Sequence, residues 1–209
     1  MTTYGFFFDS RSCSGCKTCQ VACKDKNDLG AGMRFRRVYE ICGSEWEKNE
    51  EGAWIPDIAA YNLSMACNHC ENPSCVSACP TKAMHIADNG IVTIDVTRCV
   101  GCRYCEWACP YGAPQYNRAK GIMQKCDLCA DYLKEGKPPV CVSSCPMRAL
   151  DFGPVETLEA KYGTNRDIYP LPDSGQTHPS LILKPHPGTE TAQKLHASII
   201  NREEVKNEQ

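Results

Sequence analysis

Cys99-Val100-Gly101-Cys102-Arg103-Tyr104-Cys105-Glu106-Trp107-Ala108-Cys109-Pro110 spaces its cysteines C-x2-C-x2-C-x3-C and ends on proline, the spacing with which thiolates wrap an iron–sulfur cube. The same pattern occurs at Cys13, Cys16, Cys19 and Cys23. Cys67, Cys70, Cys75 and Cys79-Pro80 repeat it with two residues inserted, and Cys126, Cys129, Cys141 and Cys145-Pro146 with a longer insertion. Four runs thus take up sixteen of the 17 cysteines in 209 residues, leaving Cys42 outside as an expected free buried thiol. Disulfide scaffolds are short, secreted and evenly spread. This chain is long, its cysteine count is odd, and it begins Met1-Thr2-Thr3-Tyr4 with no basic, apolar secretion leader. Zinc takes four ligands at one tetrahedron, which three consecutive C-x2-C steps do not suit. A thiol–disulfide redox pair needs a single isolated CxxC.

The repeat extends beyond the cysteines. Asp9 and Asp95 each stand four residues before a run, after the apolar stretches Phe6-Phe7-Phe8 and Ile91-Val92-Thr93-Ile94. Gly15 and Gly101 each precede a second cysteine, and C-P-x-x-A recurs at Cys79–Ala83, Cys109–Ala113 and Cys145–Ala149. The unit reads strand, cluster loop, short helix, strand, with the trailing proline leading into the helix. In two-cluster ferredoxins the fourth cysteine of each run ligates the other cluster, so runs must pair. Runs two and three are joined by nineteen residues, enough for a hairpin of Met84–Ile86, a turn at Asp88-Asn89-Gly90, and Ile91–Val96. Runs one and four then pair across them. Four [4Fe-4S] clusters follow: Cys13, Cys16, Cys19 and Cys145; Cys126, Cys129, Cys141 and Cys23; Cys67, Cys70, Cys75 and Cys109; Cys99, Cys102, Cys105 and Cys79.

The expected fold class is α+β: two nested bacterial-ferredoxin-like modules with hairpin insertions and a proline-rich C-terminal arm. Residues 1–32 with 114–152 form the outer module, and 67–113 the inner one. Residues 33–66 are an inserted hairpin: strand Phe35–Ile41, a charged turn region Gly43–Gly52, and return strand Ala59–Met65. Gln115–Asn117 and Ile122–Gln124 make a smaller hairpin. Residues 153–209 hold a short helix, Val155–Tyr162, and then Pro170, Pro172, Pro179, Pro185 and Pro187. That stretch reads as an extended arm lying on a partner. Asn201–Gln209 reads as a charged, frayed end.

The formal net charge of −2 gives none of the basic excess that nucleic-acid binding requires. No stretch approaches the roughly 18 apolar residues of a membrane span, in line with a mean hydropathy of −0.42. No Ser-His-Asp or Cys-His arrangement and no phosphate-binding glycine loop offers a substrate site, so no catalytic residue is expected. Iron–sulfur centres carry single electrons, and four in one small chain make sense as a relay. Thiolate ligation couples cluster binding to folding, so the apo chain is expected to be largely unfolded. Lys17, Lys24, Arg98, Arg103 and Lys125 lie in the cluster loops as candidate tuning charges, though solvated surface positions are the plainer expectation. His69 should pack or hydrogen-bond, and Tyr104 and Trp107 should cover a cluster.

The order and spacing of the runs resemble the four-cluster electron-transfer subunits of membrane-bound molybdenum enzymes, in particular the iron–sulfur subunits of dimethyl sulfoxide reductases. The resemblance rests on Gly15-Cys16-Lys17-Thr18-Cys19 with Ala22-Cys23-Lys24-Asp25, on Cys67-Asn68-His69-Cys70-Glu71, on Gly101–Cys105, on Ala108–Asn117 and on Arg148–Pro154. It implies a non-catalytic relay between a quinol-oxidising integral membrane subunit and a molybdopterin catalytic subunit. The outer pair of clusters would face the catalytic subunit and the inner pair the membrane. Placement would be peripheral on the bacterial inner membrane, on the periplasmic face by co-export, with the cytoplasmic face as alternative. In nitrate reductase relatives one cysteine of the third run is replaced and the cluster is a three-iron type; here Cys102 fills that slot. Polysulfide, thiosulfate, tetrathionate, selenate or arsenate reductases would use the same design, and a freely diffusing polyferredoxin is the alternative of a different class.

Overall fold

The computed structural model describes residues 3–206. In chain order these form β1 (Tyr4–Asp9), α1 (Thr18–Lys26), β2 (Arg37–Lys48), β3 (Trp54–Met65), α2 (Ser74–Ser77), β4 (Met84–Ile86), β5 (Val92–Ile94), α3 (Tyr104–Ala108), β6 (Gln115–Asn117), β7 (Ile122–Gln124), α4 (Ala130–Lys134), α5 (Val140–Ser143), β8 (Leu150–Pro154), α6 (Val155–Tyr162), β9 (Leu181–Lys184), α7 (Thr189–Lys194), β10 (Ser198–Ile199) and α8 (Arg202–Val205). The class is mixed α and β, with helices so short that the loops between them carry much of the chain.

The Phe6-Phe7-Phe8 run does not alternate with polar residues, which marks a strand covered on both faces. β1 is accordingly the centre of a three-stranded sheet, antiparallel to β8 and parallel to β9. Phe6 and Phe8 face the main core. Phe7 faces the other way, against Leu158, Ile182 and the Tyr162 ring, stacked 3.6 Å away between centroids. A second sheet runs β10-β2-β3, and two separate hairpins pair β4 with β5 and β6 with β7.

The sequence repeat is also a geometric one. The Asp9 amide donates to the Ala149 carbonyl and the Asp95 amide to the Ala83 carbonyl, both at 2.8 Å. Each Asp carboxylate accepts the amide two residues on, Arg11 or Thr97, at 2.9 Å, the Asx turn by which such residues redirect a chain. The strand before run one is thereby joined to the strand after run four, and the strand before run three to the strand after run two. The helices follow suit: α1 packs on α5, and α2 on α3. At each Cys-Pro the fourth residue donates back to the cysteine carbonyl and takes a left-handed conformation (Lys82, Gly112 and Arg148). The alanine that follows, Ala83, Ala113 or Ala149, is buried.

Four expectations are corrected. The proline does not lead into the helix. The helices precede the Cys-Pro steps, and Cys109, at the end of α3, is already extended at φ −82°, ψ 114°, because proline pushes the residue before it out of the helical region. Gly43–Gly52 is not a turn region as a whole. β2 continues to Lys48 and the turn is confined to Asn49–Ala53, where the Asn49 amide donates to the Ala53 carbonyl. The charges of Glu45, Glu47 and Lys48 belong to a ribbon standing in solvent, where the Lys48 ammonium lies 5.0 Å from the Trp54 ring centre. The proline-rich stretch does not leave its apolar residues for a partner. Leu181, Ile182 and Leu183 are buried beside Phe6, Phe7 and Phe8 as strand β9; proline at 179 and 185 merely brackets the strand, where no ladder donor is needed. The C-terminal segment is not frayed through residue 206. β10 pairs with β2, Val205 of α8 is buried, and the Asn201 side chain bridges the Glu40 amide and the Val38 carbonyl at 2.9 Å each. The remainder of that expectation, 207–209, lies outside the described residues.

Ile182→Ala removes a wholly buried side chain between Phe7 and Leu158 and is expected to cost about 2–5 kcal/mol in urea unfolding at matched iron content. A docked arm would show almost no change. Gly101 and Gly121 both have positive φ, but a Cβ on Gly101 would collide with the Gly121 carbonyl oxygen whereas one on Gly121 meets nothing. Gly121→Ala should cost only the left-handed strain of about 1–2 kcal/mol. Gly101→Ala should cost clearly more, and equal unfolding midpoints would contradict the close approach.

Candidate metal centres in four groups of cysteines

The loops that carry the cysteines are of two local kinds. In runs one and three, left-handed residues alternate through the loop: Gly15 and Lys17 in one, Gly101 and Arg103 in the other. α1 and α3 start directly after Lys17 and Arg103. Such alternation curls successive backbone N–H groups inward into a nest, a concavity that favours anions and is used at many iron–sulfur sites. In runs two and four, Pro73 and Pro139 stand just before α2 and α5, which read Ser74-Cys75-Val76-Ser77 and Val140-Cys141-Val142-Ser143. Each packed pair, α1 with α5 and α3 with α2, joins one loop of each kind.

These loops bring the thiols together in fours. Cys13, Cys16, Cys19 and Cys145 line a single small cavity whose wall includes Phe8, Val38, Ser64 and Leu150. Cys23 and Cys126 both neighbour Cys141, and Cys129 completes that group beside Cys23. Cys75 neighbours Cys67, Cys109 and Cys70. Cys105 neighbours Cys79, Cys102 and Cys99. The groups adjoin in sequence. Cys19 of the first lies near Cys141 of the second, and Cys126 of the second near Cys67 of the third. Cys75 of the third and Cys105 of the fourth share one apolar cluster with Met84, Val92 and Met123.

None of the 17 cysteines forms a disulfide. Burial pushes Cys13 and Cys70 up to about 11, and Cys23 and Cys105 up to about 12, with neighbouring thiolates adding to the rise. Cys75 and Cys126 are raised as well, for the same reasons. Ligating thiols must be deprotonated, so each group demands a positive core. Among the described residues no three His, Cys, Asp or Glu side chains could hold a single metal ion. A four-iron cube, whose corners each take one thiolate, suits a wider spread. Donors toward sulfur are in place: the amides of Met84, Met123 and Leu128 point at Cys79, Cys99 and Cys126, each at 3.4 Å, and the Ser64 hydroxyl lies 3.2 Å from Cys19. Buried donors left over by the protein itself, Arg36 Nε and Nη2, Asn68 Nδ2 and His69 Nε2, also belong to residues beside these groups. The residues present therefore fit four-iron cubes.

Of the other candidates, some fall where the sequence put them and some do not. Tyr104 and Trp107 do not cover a cluster: they are 52% and 71% exposed and lean on each other. Lys125 is not solvated surface. It is buried, and its ammonium donates to the Val92 and Cys126 carbonyls. Lys17 and Lys24 are half-buried and Arg98 is exposed. His69 is buried, accepts the Val92 amide at Nδ1, and is held well below the usual histidine range by burial and by the nearby Lys125 charge. His85 is exposed. Cys42 is only half-buried, in β2 opposite Ala60 and Ser198, outside the four groups. The residue sequence reasoning missed is Arg36, wholly buried among thiols. Its only trace in the sequence is a charged residue beside a strand that has to enter the core.

Comparison with known proteins agrees with this chemistry. Residues 58–155 match the family described as a 4Fe-4S dicluster domain. The chain is 50% identical over 204 residues, 98% of its own length and 99% of the other, to the probable anaerobic dimethyl sulfoxide reductase subunit YnfG of Escherichia coli strain K12. It is 49% identical, with the same coverage, to the B subunit of the anaerobic dimethyl sulfoxide reductase of that strain. At greater distance it is 41% identical over 170 residues, 79% of this chain and 84% of the other, to the thiosulfate reductase electron transfer subunit PhsB of Salmonella typhi. With a match to a 4Fe-4S dicluster domain and end-to-end similarity at this level, the chain belongs to the family of iron–sulfur, electron-transfer subunits of dimethyl sulfoxide reductases.

Proposed function

We propose that the sixteen grouped cysteines hold four [4Fe-4S] clusters, with Cys13, Cys16, Cys19 and Cys145 on the first, Cys23, Cys126, Cys129 and Cys141 on the second, Cys67, Cys70, Cys75 and Cys109 on the third, and Cys79, Cys99, Cys102 and Cys105 on the fourth. When bound, such clusters supply one-electron transfer and no bond chemistry. The observation that carries the reading is the contiguity of the groups, each adjoining the next. The chain's own residues hold the thiolates, exclude water from the middle of the row and set the local charge. The crossed cysteines Cys23, Cys79, Cys109 and Cys145 support a division into an outer module, 1–32 with 114–152, around an inner one, 67–113.

The two ends differ from the middle. Cys16 of the first group and Cys102 of the fourth are exposed, whereas no cysteine of the second or third is. Exposed apolar residues stand near both ends: Met147 at 49% beside the first, and Val100, Tyr104 and Trp107 around the fourth. Those surfaces suit two different partners, a molybdopterin catalytic subunit at the first group and a quinol-oxidising membrane subunit at the fourth. Among the described residues no helix is long and apolar enough to cross a membrane, so membrane attachment would come through the second partner, on the periplasmic face of the bacterial inner membrane. The substrate of the complex is dimethyl sulfoxide or a related S-oxide on this reading, since identity to those subunits exceeds that to the thiosulfate reductase subunit.

Anaerobic purification of the native complex should give about 16 iron atoms for each copy of this chain, in excess of any held by the partner, together with molybdenum. Elution of this chain alone at its monomer size would contradict the subunit reading. Cys102→Ser should convert the fourth centre to a three-iron type, visible as a new EPR signal in the oxidised protein, and halt quinol-driven turnover while the isolated catalytic subunit still accepts electrons from a dye. An unchanged spectrum would contradict the assignment of Cys102.

A further inference from the structure

Arg36 is the largest fully buried side chain among the described residues, 2% exposed, and stands immediately before β2. Its guanidinium lies 4.6 Å over the Phe6 ring. Nη1 donates to the Ser64 carbonyl and to the Ser64 hydroxyl, both at 3.1 Å, and that hydroxyl sits 3.2 Å from the Cys19 sulfur. Nε and Nη2 have no partner in the protein. The groups around it are thiols from two sets: Cys19 of the first, and Cys23, Cys126 and Cys141 of the second. Burial opposes the charge, and these thiolates more than offset it, raising the guanidinium above its ordinary range. An unpaired buried cation is strongly disfavoured, so a charge kept here with two donors to spare needs an anion at that junction.

We propose that Arg36 is the shared counter-cation of the first and second iron–sulfur centres, donating from Nε and Nη2 to sulfur at their junction and raising the reduction potentials of both. The proposal rests on the cluster assignment above and deepens it. Four thiolates give each centre a net negative charge, and reduction adds one electron that stays on the centre. A fixed cation favours the reduced form. No proton accompanies the electron, because guanidinium remains charged throughout the accessible pH range. Ser64 holds the fork, so that its charge faces both centres.

The test is EPR-monitored redox titration of the whole complex with Arg36→Met, Arg36→Gln and Arg36→Lys. Iron content and spin counts are measured on each preparation. Loss of charge in the Met or Gln variant should lower the reduction equilibrium constant of two centres about tenfold or more, about 59 mV for each tenfold, and leave the other two unmoved. Arg36→Lys, which keeps the charge, should restore most of the shift. Fully loaded neutral variants with native potentials overturn the proposal, as does an equal shift in all four centres or failure of lysine to restore. If both neutral variants lose iron while Arg36→Lys keeps it, Arg36 serves assembly and its potential-setting role is overturned. A native protein with fewer than four centres overturns instead the assignment on which the inference stands.

Discussion

Burying thiolates is the constraint on which everything else in this protein depends. Nine of the sixteen grouped cysteines are buried, and burial, with neighbouring thiolates adding to it, drives thiols such as Cys23, Cys75 and Cys126 toward protonation. A folded chain with these positions ionised is unstable unless positive charge enters with them. The metal core supplies most of it, and a few placed cations and amides supply the rest. Much of what is packed in the main core is sulfur: Cys19, Cys23, Cys67, Cys126, Cys141 and Cys145 stand in it alongside Phe6, Phe8, Leu63 and Leu183. Folding and cofactor retention are thus one equilibrium, and a change that loosens a loop is felt as loss of iron.

The pairing of unlike loops follows from the same constraint. A nest such as Gly15–Lys17 turns amides inward and leaves its middle cysteine, Cys16, near solvent. A proline-started helix such as Val140–Ser143 instead buries its cysteine. The nest loops hold the two exposed cysteines, Cys16 and Cys102, and the proline-started helices hold the buried Cys75 and Cys141. Because α1 packs on α5 and α3 on α2, each pair brings one loop that approaches the surface and one that insulates.

The thiol spacing made much of this legible. The short strands at Met84–Ile86, Gln115–Asn117 and Ile122–Gln124 and the helix Val155–Tyr162 lie where turn residues and periodicity put them, and the Asp9 and Asp95 repeats correspond to equivalent hydrogen bonds. What was not legible depends on neighbours distant in sequence. Charge in Glu45–Lys48 reads as a turn because local composition cannot distinguish a turn from a solvated ribbon. Leu181–Leu183 reads as an unpartnered arm because its parallel partner, Phe6–Phe8, lies more than 170 residues away. Arg36 reads as an ordinary strand residue because nothing local announces that both faces of that strand's beginning are buried. Tyr104 and Trp107 read as cover because aromatic residues near cysteines usually pack, whereas a surface that meets another protein need not be closed within this one.

Electrostatics along the row then acquires an order of its own. Potentials of iron–sulfur centres respond to charge, to hydrogen bonds on sulfur and to solvent access, and these three levers are distributed unevenly here. At the first and fourth groups solvent reaches Cys16 and Cys102, and water can compensate a change of charge there. At the middle groups no cysteine is exposed, and two buried cations stand beside them: Arg36 between the first and second, and Lys125 against Cys126 of the second with its charge acting on Cys75 of the third. Salt screens exposed charges and barely touches buried ones. The ends of the row are therefore open to adjustment by whatever docks on them, while the middle is set by the fold. On the proposed arrangement, a relay with a fixed interior and partner-tuned ends would serve reductases of different substrates without redesign of its centre.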